Sequence, residues 1–365
     1  MDVIFEQRGL APALRATRTG DEVTLTLDYQ TDGWYDETLG YYLYDYGSGS
    51  LTLGDQSDGM SVGGDDDGWI HAQVSAVVTP GSATAAQAWF MLDAVDPMGW
   101  TYDLTITLLS APGLVSGGDG IDVIFGSTGQ DWLTGGAGND AIEGDGGNDL
   151  LDGGSGADNM LGGAGHDTYV VDDAGDRIDE TGGTGRDLVQ SLISVNLEGP
   201  QVSGRVERLH LLGADNTTGI GNAAANQIFG NIGDNHLEGR GGADTLRGGP
   251  GSDTLSGGGG ADRFVFRDLT PGDLDVIVDF DSRADVIALA GAVFAGLGVA
   301  GGQPQWLRFV ANADGVATHA ETRLIYETDT GLLSYDADGS GAGAAQVFLR
   351  LTPHLALGSA DFLIL

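Results

Sequence analysis

Cysteine and lysine are both absent from the 365 residues of this chain. Without cysteine there is no disulfide, no thiolate metal site and no cysteine nucleophile. Without lysine, the 15 basic residues are all arginine. They face 54 Asp and Glu, for a formal net charge of −39. A surface this acidic repels nucleic acid and anionic membranes and attracts cations. No apolar run approaches the ~20 residues of a membrane-spanning helix, so no transmembrane segment is expected. The opening Met1-Asp2-Val3-Ile4-Phe5-Glu6 is acidic where a secretory leader is basic, and no long apolar stretch follows, so any export address is expected elsewhere. The histidines, His71, His166, His210, His236, His319 and His354, form no His-Glu-x-x-His pair, which removes a zincin-type protease. No glycine loop has phosphate-binding spacing.

Glycine, by contrast, is abundant, with 64 residues. Glycine loses more backbone freedom on folding than any other residue, so this abundance needs a structural reason. The reason is a nine-residue period. From Gly117 the chain reads GGDGIDVIF, GSTGQDWLT, GGAGNDAIE, GDGGNDLLD, GGSGADNML and GGAGHDTYV. The sixth position is always Asp: Asp122, Asp131, Asp140, Asp149, Asp158 and Asp167. The eighth is always large and apolar or aromatic: Ile124, Leu133, Ile142, Leu151, Met160 and Tyr169. A second block from Gly221 reads GNAAANQIF, GNIGDNHLE, GRGGADTLR, GGPGSDTLS and GGGGADRFV. Its sixth positions are Asn226, Asn235, Asp244, Asp253 and Asp262, and its eighth are Ile228, Leu237, Leu246, Leu255 and Phe264. One isolated copy, GGTGRDLVQ, carries Asp187 and Val189.

This pattern resembles the RTX, or haemolysin-type, calcium-binding nonapeptide G-G-x-G-x-D-x-U-x. The resemblance spans Gly117 to Phe266, about 40% of the chain. The residue types suit the chemistry. Ca²⁺ takes six to eight oxygens from carboxylates and carbonyls. Glycines in the loop permit positive φ and let carbonyls turn inward, here Gly118, Gly120, Gly136, Gly138, Gly154, Gly156, Gly163, Gly165, Gly249 and Gly251. Positions seven to nine are expected to form a short strand with its central side chain in the core. Two nonapeptides then make one coil, and repeat i stacks on repeat i+2 as a parallel β-roll. The family places each ion between stacked loops. Carried over, this pairs Asp122 with Asp140, Asp131 with Asp149, Asp140 with Asp158, Asp149 with Asp167 and Asp244 with Asp262. The mixed pairs are Asn226 with Asp244 and Asn235 with Asp253, and the total is up to seven Ca²⁺ ions. Uncharged Asn226 and Asn235 are expected to make weak sites, and Ala224 at position four departs from the motif.

The chain is expected to be all-β in three parts. Residues 1–112 alternate in strand fashion at Glu22–Asp28 and Thr101–Leu109 and read as a β-sandwich, loosely resembling the bacterial pre-peptidase C-terminal domain. Residues 113–266 form the roll, with regular repeats at 117–170 and 221–266 and irregular coils at 171–220, where Asp172 and Asp173 are further candidate ion ligands. Residues 267–365 form a strand-rich cap, needed because an open solenoid end exposes a sheet edge. Within the cap, Leu332–Leu351 reads as two strands around the Asp336-Ala-Asp-Gly-Ser-Gly turn. That turn begins like an EF-hand loop but has Val347 where the closing Glu belongs. The final Ser-Ala-Asp-Phe-Leu-Ile-Leu resembles a C-terminal type I secretion signal and also fits an ordinary strand.

Three N-terminal features are weaker candidates. Asp65–Asp67 offers carboxylates in a glycine-flanked loop. Trp34, Tyr35, Tyr41, Tyr42, Tyr44 and Tyr46 offer rings for sugar stacking or for cross-strand pairs. Gly59-Met-Ser61-Val-Gly63 has nucleophile-elbow spelling but lacks the strand before and helix after that the elbow requires. With no catalytic triad recognisable, the expectation is a secreted, calcium-folded, non-enzymatic protein. Its partners would be the type I secretion machinery and an extracellular polysaccharide or cell surface. Two alternatives stay open: a secreted hydrolase or polysaccharide-modifying enzyme with an unrecognised site, and a surface-layer or biofilm-matrix protein.

Overall fold

The computed structural model describes residues 112–339 and 343–365 in full, and part of 2–109 through the backbone of its strands. The described chain is all-β, its one helical element being a 3-10 turn at Ser359–Asp361. It divides into two compact units, Met1–Gly185 and Arg186–Leu365.

In the first unit, Asp2–Glu6, Ala13–Thr19, Glu22–Gln30, Trp69–Val77 and Ser61–Gly64 form an antiparallel sheet in that order. Ser61 therefore lies on a strand paired with Trp69–Val77, not at a strand-to-helix elbow. Asp65–Asp67 and the side chains of Trp34, Tyr35, Tyr41, Tyr42, Tyr44 and Tyr46 fall outside the described residues. Ser48–Leu53, Ala85–Asp93 and Tyr102–Leu109 pair antiparallel. Tyr102–Leu109 then pairs in parallel with Ile121–Phe125, so the last N-terminal strand occupies what would otherwise be a free edge of the roll.

The roll in this unit has two parallel sheets. One stacks Leu114–Asp119, Trp132–Ala137, Leu150–Ser155 and Thr168–Val171. The other stacks Ile121–Phe125, Ala141–Glu143, Asn159–Leu161 and Arg177–Glu180. Trp132 pairs with Leu150 and Leu150 with Thr168, a step of 18 residues, or two nonapeptides. The strands are short, three to six residues, and in the first sheet the ladder runs on through the paired glycines Gly118, Gly136 and Gly154. The eighth-position side chains Ile124, Leu133, Ile142, Leu151, Met160 and Tyr169 all point inward and are buried.

The second unit repeats the plan. Leu188–Ser191, Arg208–Leu211, Gln227–Phe229, Thr245–Arg247, Arg263–Phe266 and Val286–Leu289 form one parallel stack. Val195–Asn196, Thr218–Ile220, His236–Glu238, Thr254–Ser256 and Asp275–Ile277 form the facing one. The irregular coils have longer steps: Leu188 pairs with Arg208 and Val195 with Gly219. Ile228, Leu237, Leu246, Leu255 and Phe264 are fully buried.

Both stacks end under the C-terminal residues. Phe362–Ile364 adds in parallel to Val286–Leu289. Gln346–Arg350 adds to Asp275–Ile277 and continues antiparallel into Leu332–Tyr335, on either side of the Asp336 turn. An aromatic cluster fills the cap: the Phe294 ring lies 5.0 Å from Phe348 and 5.3 Å from Tyr335, and Phe266 lies 5.6 Å from Phe348.

Candidate calcium-binding loops

Each sixth-position carboxylate starts from its place in the coil. All but Asp122, which lies inside the strand Ile121–Phe125, immediately precede a strand, and all are almost completely buried. Asp131, Asp140, Asp158 and Asp167 expose 0% of their surface, and Asp122, Asp149, Asp187, Asp244, Asp253 and Asp262 no more than 2%. Asn226 and Asn235 are buried in the same way. Buried ionised carboxylates are rare unless paired or hydrogen-bonded.

One oxygen of each carboxylate is accounted for by the backbone of the coil before it. Asp140 Oδ1 accepts the Asp122 N–H at 2.8 Å, Asp149 that of Asp131 at 2.8 Å, Asp158 that of Asp140 at 2.7 Å, and Asp167 that of Asp149 at 2.8 Å. In the second unit, Asp244, Asp253 and Asp262 accept from Asn226, Asn235 and Asp244 at 2.7, 2.7 and 2.9 Å. The ladder continues where no glycine motif marks it. Asp176, Asp275 and Asp285 accept the N–H groups of Asp158, Asp253 and Asp262 at 3.1, 2.8 and 3.0 Å, and Glu207 accepts that of Asp187 at 3.0 Å. Sequence reasoning missed these four. Their surviving signal is an acid two residues before a buried apolar side chain: Asp176/Ile178, Glu207/Leu209, Asp275/Ile277 and Asp285/Ile287.

The other oxygen is different. Oδ2 of Asp140, Asp149, Asp158, Asp244, Asp253 and Asp262 is buried and meets no hydrogen-bond donor among the described residues. For Asp140, Asp149 and Asp244 a carbonyl of the following coil borders the same space. A Cβ built on Gly135 would fall 2.2 Å from Asp140 Oδ2 and 2.6 Å from Gly153 O. On Gly144 it would fall 2.4 Å from Asp149 Oδ2 and 2.7 Å from Gly162 O, and on Gly239 2.4 Å from Asp244 Oδ2 and 2.6 Å from Gly257 O. Carboxylate and carbonyl oxygens thus border one small space that a side chain would fill. These loops turn their backbone with φ of +119° at Gly136 and +139° at Gly138. The same hand recurs at Gly120, Gly154, Gly156, Gly163, Gly165, Gly249 and Gly251, whereas Gly118 is not left-handed. Two non-glycine residues at position two, Asp145 and Arg240, also adopt this hand, with φ of +71° and +73°. The open loop imposes that conformation despite its cost of about 1–2 kcal/mol.

The electrostatics follow from burial. Desolvation pushes the carboxyls of Asp140, Asp149, Asp158, Asp244 and Asp253 up to about 7, against the lowering effect of the backbone hydrogen bond each accepts. It pushes Asp275 up to about 8. Asp176, Asp262 and Asp285 move the same way for the same reason. Such a group wants either a proton or a cation. Oxygen-only donors, several carboxylates and inward carbonyls suit a hard divalent ion. These residues would hold Ca²⁺, which would supply the charge that the orphaned oxygens lack.

Elsewhere, Asp172 and Asp173 donate their N–H groups to Asp176 Oδ2 at 3.1 Å. Tyr169 is buried; its hydroxyl donates to Glu180 and accepts the Gly162 N–H at 2.8 Å, and its pKa is raised by desolvation and the Glu180 charge. His166 and His236 are exposed at variable positions. No helix among the described residues is long and apolar enough to cross a membrane.

No curated protein matches the chain. The profile of the RTX calcium-binding nonapeptide repeat matches in four copies, at residues 116–151, 139–169, 213–246 and 238–266. With the parallel coils, the nine-residue spacing of polar and core residues, and the orphaned carboxylate oxygens, residues 116–169 and 213–266 are RTX calcium-binding nonapeptide repeats wound into a parallel β-roll.

Proposed function

We propose that this is an extracellular RTX protein that leaves the cell by type I secretion and is folded by calcium outside it, serving as a non-enzymatic binding or surface-associated protein. The calcium-binding character is established by the repeats themselves. The observation that supports calcium as the folding signal is the set of buried, donor-less Oδ2 atoms on Asp140, Asp149, Asp158, Asp244, Asp253 and Asp262. An unsatisfied buried acceptor costs about 1–3 kcal/mol, more when charged, and clustered carboxylates add repulsion. A cytosol poor in calcium would then hold the chain unfolded and exportable. A medium with ~10 mM Ca²⁺ and a dissociation constant of ~0.1–1 mM would add about 1.4–2.7 kcal/mol per site.

The secretion half rests on the resemblance of Ser359-Ala-Asp-Phe-Leu-Ile-Leu365 to a C-terminal export signal. That segment also closes a sheet, since Phe362 and Ile364 are buried against the Val286–Leu289 edge. Calcium titration of the full chain, followed by far-ultraviolet circular dichroism, is expected to show cooperative gain of β-structure with Ca²⁺ and its loss with chelator. Unchanged spectra would refute calcium-driven folding. Expression beside a type I exporter should deliver the chain to the medium, and equal delivery without the exporter would refute that route.

A further inference from the structure

The loops are not all alike, and the second position of the nonapeptide separates two classes among them. In the open class this residue is left-handed, as at Gly136, Asp145, Gly154, Arg240, Gly249 and Gly258, and the Oδ2 four residues on has no donor. In the other class the second residue is Ser127, Asp172, Asn222, Asn231 or Asp281, and none of these is left-handed. There its own N–H turns inward to the side chain four residues on. Ser127 donates to Asp131 Oδ2 at 2.7 Å, Asn222 to Asn226 Oδ1 at 2.8 Å, Asn231 to Asn235 Oδ1 at 2.8 Å and Asp281 to Asp285 Oδ2 at 2.8 Å. Most of these side chains also hold the N–H two residues on, as Asn222 does for Ala224 and Asn231 for Gly233, both at 2.9 Å or less. This is a local turn that competes with the left-handed arrangement.

The asparagine coil goes further. Asn222 Nδ2 donates to Val206 O at 2.8 Å, and Asn226 Nδ2 to the same carbonyl at 3.2 Å. Asn231 Nδ2 donates to Leu212 O at 2.8 Å and Asp215 O at 3.0 Å, and Asn235 Nδ2 to Thr217 Oγ1 at 3.2 Å. Amide hydrogens thus meet the inward-facing oxygens of the preceding coil, the electrostatic task that a cation performs in the open loops.

We infer that Asn222, Asn226, Asn231 and Asn235 make a metal-free staple, so that residues 206–238 hold their coil without calcium while the open loops do not. This rests on the calcium reading above and refines which loops it covers. The pairings Asn226/Asp244 and Asn235/Asp253 then draw their ion ligands from the aspartate side, and the Asn-bearing loops bind none.

Two measurements on the full chain test this. The first is hydrogen exchange in chelator and in calcium. Backbone amides of 206–238 are expected to exchange at least about tenfold more slowly than those of 239–266 in chelator, with both protected in calcium. Equal exchange of the two segments in chelator would overturn the staple. The second is a count of bound Ca²⁺ by native mass spectrometry for the unsubstituted chain and for Asn231→Gly/Asn235→Asp, which converts GNIGDNHLE to the full motif. The variant is expected to bind one more ion, and an unchanged count would overturn the role of position two. Absence of any bound calcium in either protein would instead sink the reading on which this rests.

Discussion

The coil of residues 221–238 and the coils of 239–266 pair with each other at a step of 18 residues and share a fully buried aliphatic or aromatic core. They differ in what satisfies the turns. In the first, asparagine amides and inward N–H groups close each loop. In the second, Asp244, Asp253 and Asp262 each leave a buried oxygen without a donor. The apolar core therefore does not decide which coils need an ion. Residues two and six of the repeat decide it together, through the hand of the backbone and the presence of a donor.

The largest expected divergence between the two regions is in their pH response without metal. Asp244 and Asp253 sit at about 7 in the folded coil, and burial also raises Asp262, whereas the unfolded chain titrates near 4. A raised folded pKa means that the folded state binds protons more tightly between those values, so metal-free stability is present at low pH and lost as pH rises through about 7. In chelator, moving from about pH 8 to about pH 5 should restore β-structure in 239–266 and leave 206–238 unchanged, read by hydrogen exchange. With calcium present, the same move should weaken binding, because protons compete for the same oxygens.

Core truncation should fail to separate the regions. Leu237→Ala and Leu246→Ala, one in each, are each expected to cost about 2–5 kcal/mol in denaturant melts at saturating calcium. Unequal costs would show that the cores are not equivalent. Removing a site should separate them again. Asp253→Asn is expected to forfeit about 1.4–2.7 kcal/mol, but only with calcium present. Asn231→Ala should cost about 1–3 kcal/mol whether or not calcium is added. The smallest effect is expected at the strained second position of an open loop. Asp145→Gly relieves a left-handed non-glycine residue and should stabilise the calcium-loaded chain by about 1 kcal/mol.

Much of the roll was legible because both its requirements sit at fixed spacing. The large residue at position eight survives in each of the glycine-marked copies, and the acid at position six in all but the two that carry Asn226 and Asn235. Legibility failed where the glycines were lost. Asp176, Glu207, Asp275 and Asp285 keep the ladder hydrogen bond and the buried neighbour, yet lie in coils of altered length or composition. Those coils manage without glycine for a physical reason. At Asp172/Asp176 and Asp281/Asp285 the loop closes on its own side chain, so no left-handed residue is required. The staple was half legible: uncharged Asn226 and Asn235 signalled weak ion sites, but the part played by Asn222 and Asn231 depends on which way a backbone N–H points. The cap was readable as strands, whereas the parallel addition of Phe362–Ile364 to Val286–Leu289 is a pairing across more than 70 residues that no local pattern encodes.

If the orphaned oxygens of the open loops are the calcium ligands, a crystal structure grown with calcium will show it. A cation is expected about 2.3–2.6 Å from Asp140 Oδ2 and from Asp244 Oδ2, with none in the turns closed by Asn222 and Asn231. Ordered water alone beside those two carboxylates, or an ion seated in an asparagine turn, would contradict it.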